Sequence, residues 1–369
     1  MYKTSRPSGD LIWPGAMAEK FYVGFDDDEL ELVCDWGLRG HDRKLKYREA
    51  QWIYWATELY SFGRCYREWL RLPGWFPLPL YGDHGVDLSG KLSLHEETAK
   101  PYSHLTWFSD RAKHLKVNSK KKILRIPHPW ILFRRRHGLI KKTDSRGTLV
   151  FLTHSVPGID IEGYDLDQYF SDLVSLQEEF HPIVICMHRH DIKKNVHLKI
   201  RKYGLPIISA GDTSSPYFIE RFYSIISNFN YATSNDGGSD LFYCEEFGVS
   251  YFIRGEIPVL MNNSLNHLPK GELQKRDLLA EEVSLKKREL FLEFPPKSSF
   301  EKKAFVDSVL GLDVDENDAR NLVIRELKKE LLRHPLEVIK SLFIYSLRQT
   351  LPSIVLEWIK KLIFRVRMF

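Results

Sequence analysis

From Thr148 onward, short apolar runs alternate with amphipathic stretches. Thr148-Leu149-Val150-Phe151-Leu152 reads as a buried strand, and Tyr169 to about Glu179 as a helix with Phe170, Leu173, Val174 and Leu176 on one side. Ile183 to Met187, Pro206 to Ser209, Tyr231 to Thr233 and Val249 to Ile253 are the next predicted strands, with helices over 217–228 and 240–246 between them. Strands alternating with helices at this spacing predict a parallel sheet covered by helices. Upstream, Trp52, Trp55, Leu59, Phe62, Tyr66, Trp69 and Leu70 recur at helical steps over 47–72, with a break expected at Gly63. Apolar runs at 76–81, 103–109 and 123–130 predict a second, smaller α/β half. Residues 270–333 are charged and helical in pattern, and 335–369 mix Leu, Ile, Phe and Trp with Lys and Arg. The expected fold class is therefore α/β, with two Rossmann-like halves over 1–146 and 147–262 and a helical region over 263–369.

The 369 residues and the 43% hydrophobic fraction are enough for two full cores. The four cysteines, Cys34, Cys65, Cys186 and Cys244, are far apart and form no CxxC, which points to a reducing compartment and away from a zinc site. No signal peptide and no membrane span are expected. The net charge is only +5, yet Arg111 to Arg146 carries a dense run of Lys and Arg against Asp144 alone. Such a run suits an anionic partner or a solvated face. Zinc-finger spacing and aromatic-basic signatures are absent, so nucleic acid is not an expected partner. The tail over 335–369 reads as a basic amphipathic helix for an anionic membrane surface, or as a helix closing the domain interface. The acidic run Asp26-Asp27-Asp28 reads as a solvated turn or a helix start.

Ligands in open parallel sheets bind beyond the carboxyl ends of the strands. There the second half carries Thr153, His154 and Ser155, then His188 and Arg189, then Asp212, Thr213, Ser214 and Ser215, and finally Ser234, Asn235, Gly237, Gly238 and Ser239. Hydroxyls and glycines ahead of a helix are ordinary capping, but free N–H groups at helix starts also bind phosphate. In the first half Asp83-His84 follows an apolar run between Gly82 and Gly85. It reads as a general base or as a capped turn, with His104 and His128 in reserve.

Two α/β halves in series, the Thr153-His154-Ser155 loop, the strand-end His188-Arg189-His190, Gly211 to Ser215, and Ser234-Asn235-Asp236-Gly237-Gly238-Ser239 resemble the GT-B glycosyltransferases, and more narrowly the bacterial enzymes that build capsule and lipopolysaccharide glycans. The resemblance implies that the second half binds a nucleotide-sugar donor and the first half binds a lipid-linked or oligosaccharide acceptor. It further implies transfer without a metal or other cofactor, at the inner face of the cytoplasmic membrane. On that view His188, Arg189 and the Ser239 loop meet the phosphates, and Asp83 or His84 deprotonates the acceptor. A nucleotide-sugar epimerase, a phosphoglycerol-type transferase and a non-catalytic glycan-assembly protein are the alternatives on the same architecture.

Overall fold

The structure is a computed structural model that describes residues 12–35, 55–83, 85–155, 159–262, 271–272 and 277–336, with a few positions up to 346. His84 and most of the basic tail lie outside the described residues.

Five parallel strands form the larger sheet: β4 (Thr148–Phe151), β6 (Ile183–Cys186), β7 (Ile207–Ile208), β8 (Tyr231–Ser234) and β9 (Ser250–Ile253), in the order β7-β6-β4-β8-β9. The pairings Thr148↔Ile183 and Thr148↔Tyr231 place the carboxyl ends of β4, β6 and β8 on one edge. Leu149, Val150, Val184 and Ile185 are all at 0% exposure, because helices cover both faces. The smaller sheet has the order β1-β2-β3, from β1 (Tyr81–Gly82), β2 (Ser103–Thr106) and β3 (Lys122–Arg125), again parallel. An antiparallel flap of β5 (Ile159–Glu162), β10 (Val259–Asn262) and β11 (Gly271–Glu272) lies beside the larger sheet. The expected class, two parallel α/β halves with a helical carboxy-terminal region, is what the chain adopts.

The halves interlock more than the linear boundaries predict. Residues 12–35 pack on the second half, not the first: the Phe25 N–H donates to the Ile207 carbonyl at 2.8 Å, and Trp13 Nε1 donates to Ser224 at 2.9 Å. The Trp13, Phe21 and Phe25 rings, with centroids 5.3 to 6.4 Å apart, anchor this segment. Gly211 permits the contact: its φ is +77°, and a Cβ there would sit 2.3 Å from the Val33 carbonyl oxygen. In the other direction, the helix Glu316–Arg333 returns to the first sheet. Its Lys122–Glu326 pair spans 2.7 Å, and Glu330, at 0% exposure, accepts from the Ser103 N–H at 3.1 Å.

Several local expectations shift. The first-half helix is split into Trp55–Glu58 and Phe62–Leu70, and the break falls at Tyr60–Ser61, not at Gly63. Tyr60 and Ser61 both hold positive φ, +54° and +62°. Gly63 instead makes room for Glu58, whose carboxylate would lie 1.7 Å from a Cβ at that position and pairs with Arg67. Asp26 to Asp28 open a helix rather than a solvated turn. Asp26 Oδ1 accepts from the Glu29 N–H at 2.9 Å and Glu29 accepts from the Asp26 N–H at 3.1 Å, a reciprocal capping box. The basic run over 111–146 is largely paired inside the protein: Arg125 with Asp313, Arg134 with Glu246, Lys142 with Asn228 and Lys122 with Glu326.

Among the described residues, Glu330 is the carboxylate that meets the Ser103 backbone N–H and hydroxyl. Glu330→Ala should therefore cost at least about 1–3 kcal/mol, the price of an unmet buried donor. Urea unfolding should show a lower midpoint with an unchanged slope.

Candidate functional site

A cavity of about 510 Å³ opens at the carboxyl edge of the larger sheet. The strand order reverses between β4 and β8, and parallel sheets bind ligands at such a switch point. Thr153 bridges that point by donating to Asn235 Oδ1 at 2.8 Å. The opposite wall comes from the first half, through Tyr60, Gly85, Val86 and Trp130.

Six of the residues expected at the site line this cavity: Thr153, His154, His188, Ser234, Gly238 and Ser239. The helix Ser239–Phe247 begins at Gly238, which has no side chain to cap it, so its start lacks a capping hydrogen bond from the N-cap residue. Gly237, at φ +71°, turns the chain into it, and the Gly237 N–H donates to Ser234 Oγ at 2.6 Å. Ser239 Oγ accepts from the Val86 N–H at 2.8 Å, tying the loop of the first half to this helix start. Gly85, at φ +84°, allows the approach, since a Cβ there would lie 2.8 Å from Ser239 Oγ.

The His154 and His188 rings stack, with centroids 3.9 Å apart and planes at 19°. Burial pushes the His188 pKa well below its ordinary value, and His154, His190 and Arg189 add repulsion, so its imidazole is neutral. Its Nδ1 accepts from the His190 N–H at 3.3 Å, which leaves the ring proton on Nε2. That buried N–H has no hydrogen-bond partner among the described residues. A buried donor left unmet is costly, so a ligand acceptor is its natural complement.

Other expected residues support the site without reaching it. Asp212, at 0% exposure, pairs with Arg189 and accepts from the Ser214 hydroxyl at 2.6 Å. Thr213 accepts from the Tyr60 N–H at 2.7 Å, and Ser215 accepts from Ser61 Oγ at 3.0 Å. This loop thus fixes the left-handed Tyr60–Ser61 elbow, which carries Tyr60 into the cavity, rather than cradling a phosphate. Ser155 is committed to Asp191 at 2.6 Å, and Asn235 is buried beneath Thr153. Arg189, spent on Asp212, does not line the cavity.

Asp83 is not placed to act as the base expected from the sequence. It is 1% exposed and sits at the centre of a closed polar cluster. His104 Nε2 lies 2.8 Å from it, Thr106 donates to it at 2.6 Å, and Arg111 donates at 2.8 to 3.1 Å. Burial alone would raise its pKa, but Arg111 and then His104 reverse this and hold it far below the usual carboxylate range. Such a group is ionised but a weak base, shut away from an acceptor. His128 is also structural: it is fully buried, its Nδ1 accepts from the Trp130 N–H at 3.1 Å, and its Nε2 meets the Tyr243 hydroxyl at 3.0 Å. The Asp83, Glu96 and His104 ligand atoms lie within 4.8 Å of one another, but the Arg111 guanidinium already provides the cation they surround.

The sequence pattern points to Gly85 beside Asp83-His84 but not to Tyr60, Val86 or Trp130 as residues of the site. Tyr60 enters through a strained elbow, and Gly85 and Val86 enter through a loop with no helix or strand signal. It also missed a second cavity, of about 750 Å³, walled by residues 86–93, Asp236 to Gly238 and the helix Leu278–Phe291. Gly237 opens there rather than into the first cavity.

No family description and no curated protein matches the chain. Among solved structures, it is similar to the wall teichoic acid polymerase TagF, at 15% identity and a TM-score of 0.35 over 68% of this chain and 69% of that one. A histidine-to-asparagine variant of the same polymerase with CDPG matches at 16% identity and a TM-score of 0.32, over 64% of this chain and 59% of that one.

The Asp83 cluster makes a pH-dependent contribution to stability. A carboxylate whose pKa is depressed on folding stabilises the fold above its unfolded pKa, about 3.9, and loses that contribution as pH falls toward the folded value. Asp83→Asn should therefore be clearly less stable than the parent at pH 7, and the gap should narrow only below about pH 4. Parallel melts from pH 7 to 2 check this, and a pH-independent gap would contradict it.

Proposed function

We propose that the chain is a glycosyltransferase that binds a nucleotide-sugar in the cavity between its halves. It moves the sugar to a hydroxyl of a growing surface glycan, such as lipopolysaccharide, O-antigen or capsule. One observation carries the reading. At the switch point of a parallel sheet, the uncapped start of the helix Ser239–Phe247 and the unpartnered His188 N–H line the same cavity. Both are hydrogen-bond donors, and a diphosphate offers only acceptors.

Negative charge grows on the leaving phosphate as the sugar departs. Fixed N–H dipoles at a helix start can offset this charge without a metal ion. A neutral imidazole suits the role because it donates without bringing in a second buried cation. The Thr153 hydroxyl and the Gly238 backbone complete the polar rim, while Trp130, Phe218 and Phe222 give the cavity its apolar floor. Among the described residues no helix is long and apolar enough to cross a membrane. The basic tail over 335–369 is our candidate for contact with an anionic inner membrane face, and vesicle co-sedimentation of the chain with and without 350–369 tests it.

The donor reading is tested with CMP, CDP, UDP and GDP. A nucleotide at a hundred times its dissociation constant should add about 2.7 kcal/mol of stability. Gly238 has an extended backbone, and a Cβ there would lie 2.8 Å from the Asp240 carboxylate, so Gly238→Val should fold with a shift of that side chain, as a melt will show, and fill the cavity rim. It should abolish the nucleotide shift, and His188→Ala should weaken binding by about 1.5–3 kcal/mol. A folded Gly238→Val protein that binds nucleotide as the parent does would remove the site. Transfer should persist in EDTA, and loss reversed by Mg²⁺ would show that the helix start alone does not carry the phosphate charge.

A further inference from the structure

The second cavity has a different chemistry from the first. The two share Val86, Asp236 and Gly238, so they are neighbouring compartments of one cleft. The first presents N–H donors beside Asp236 and Asp240, whereas the second is lined by Asp87, Asp236 and Asp277 and by the Ser93 and Ser284 hydroxyls, against Lys91 and Lys287. Carboxylates accept hydrogen bonds from hydroxyls and repel phosphates. This compartment therefore fits a neutral polyhydroxylated molecule better than a second anion.

Most of its carboxylates are committed. Asp277 caps the helix Leu278–Phe291 and holds the Ser89 hydroxyl and the Gly90 N–H, each at 2.9 Å. Asp236 lies 3.4 Å from the Lys287 ammonium. Asp87 differs. It accepts from the Ser89 N–H at 2.8 Å and lies 3.0 Å from Arg111, yet 35% of its side chain stays exposed. Asp83 and Glu96, around the same guanidinium, are at 0% and 4%. Each carboxylate oxygen has two lone pairs, so Asp87 retains acceptor capacity on the cavity side. It immediately follows Val86, the residue that lines both compartments.

We propose that the second cavity holds the acceptor as a neutral sugar or polyol, and that Asp87 is the catalytic residue that receives the proton of the attacking hydroxyl. This assignment rests on the donor reading above. The acceptor O–H bond breaks and its proton passes to Asp87. The acceptor oxygen bonds to the anomeric carbon of the donor. The bond from that carbon to the phosphate oxygen breaks, and its electron pair leaves with the nucleoside diphosphate. Burial pushes the Asp87 carboxyl up, Arg111 pulls it down, and the neighbouring Asp83 and Glu96 charges leave it at about 7. A base of that strength is matched to a proton that moves near neutral pH.

The test uses UDP-, GDP- and CDP-linked sugars with glycerol or methyl glucoside as acceptor, and water as the default acceptor. Asp87→Asn relieves a cluster in which three carboxylates share one guanidinium, so it should fold, as a melt will show. Its turnover should fall about 10²–10⁴-fold while nucleotide affinity stays within a few-fold. Ser284→Trp, which narrows the second cavity from the helix Leu278–Phe291, should raise the acceptor KM and leave nucleotide affinity unchanged. Near-normal turnover in Asp87→Asn would overturn the proposal. So would a parallel loss of nucleotide affinity, which would place Asp87 in the donor site, or a nucleotide-binding parent protein that turns over no acceptor, water included. If the parent binds no nucleotide at all, the donor reading itself fails and this assignment falls with it.

Discussion

The geometry of the cleft depends on one buried ion pair, Asp83 with Arg111. Both side chains are at 0% exposure, so neither charge can be left alone: removing one partner strands the other in a medium that solvates it poorly. The pair gathers much of the first half. Asp83 follows β1 directly, His104 and Thr106 bring β2 to it, and Arg111 comes from the helix Ser109–Asn118. Arg111 also donates to the carbonyls of Ser89 and Lys91 at 2.6 and 2.9 Å, which sets the path of the loop that walls both cavities. Such a pair contributes little net stability over an apolar replacement, and its value here is positional.

From that loop the constraint passes to the second half. Val86 is tied to Ser239 at the uncapped helix start, and Ser89 and Gly90 are tied to Asp277 at the start of another helix. The Tyr60–Ser61 elbow reaches across to Thr213 and Ser215. Two consecutive non-glycine residues at positive φ cost energy, and they persist because these partners hold them. The cleft is thus shaped by backbone and short polar links, with the charged side chains of Asp87, Asp236, Asp277 and Lys287 set among them. Its expected cationic element, Arg189, is absorbed by Asp212 and does not line the cavity.

What the sequence reveals of this arrangement is what periodicity can encode. Apolar runs such as 148–152 and 183–187 are strands because both sheet faces are covered, and the polar residues after them fall on one edge because the strands are parallel. That is enough to bring Thr153, His154, His188, Ser234, Gly238 and Ser239 to one cavity. Periodicity says nothing about which polar side chains cancel each other. Asp83 next to glycines looks like an exposed base, and its partner Arg111 lies on a helix beyond the next strand. Asp212 to Ser215 look like a phosphate loop, and their work is to cap and to hold a distant elbow. Asp87 sits in a loop with no pattern, so its environment exists only once Asp83, Glu96 and Arg111 have been brought together.

The polarity of the cleft follows the direction of the reaction proposed for it. On the second-half side the unmet groups are N–H donors, which favour a leaving phosphate as its charge grows. On the first-half side the open group is a carboxylate, which favours a hydroxyl as its proton departs. Exchanging the two would oppose both charge movements, because a carboxylate would repel the phosphate and an N–H donor could not accept the proton. The shared residues Val86, Asp236 and Gly238 bring these opposite environments together. In the proposed reaction the transferred carbon passes the rim they form. Gly238 keeps that rim open, since any larger side chain there would occupy the space between donor and acceptor.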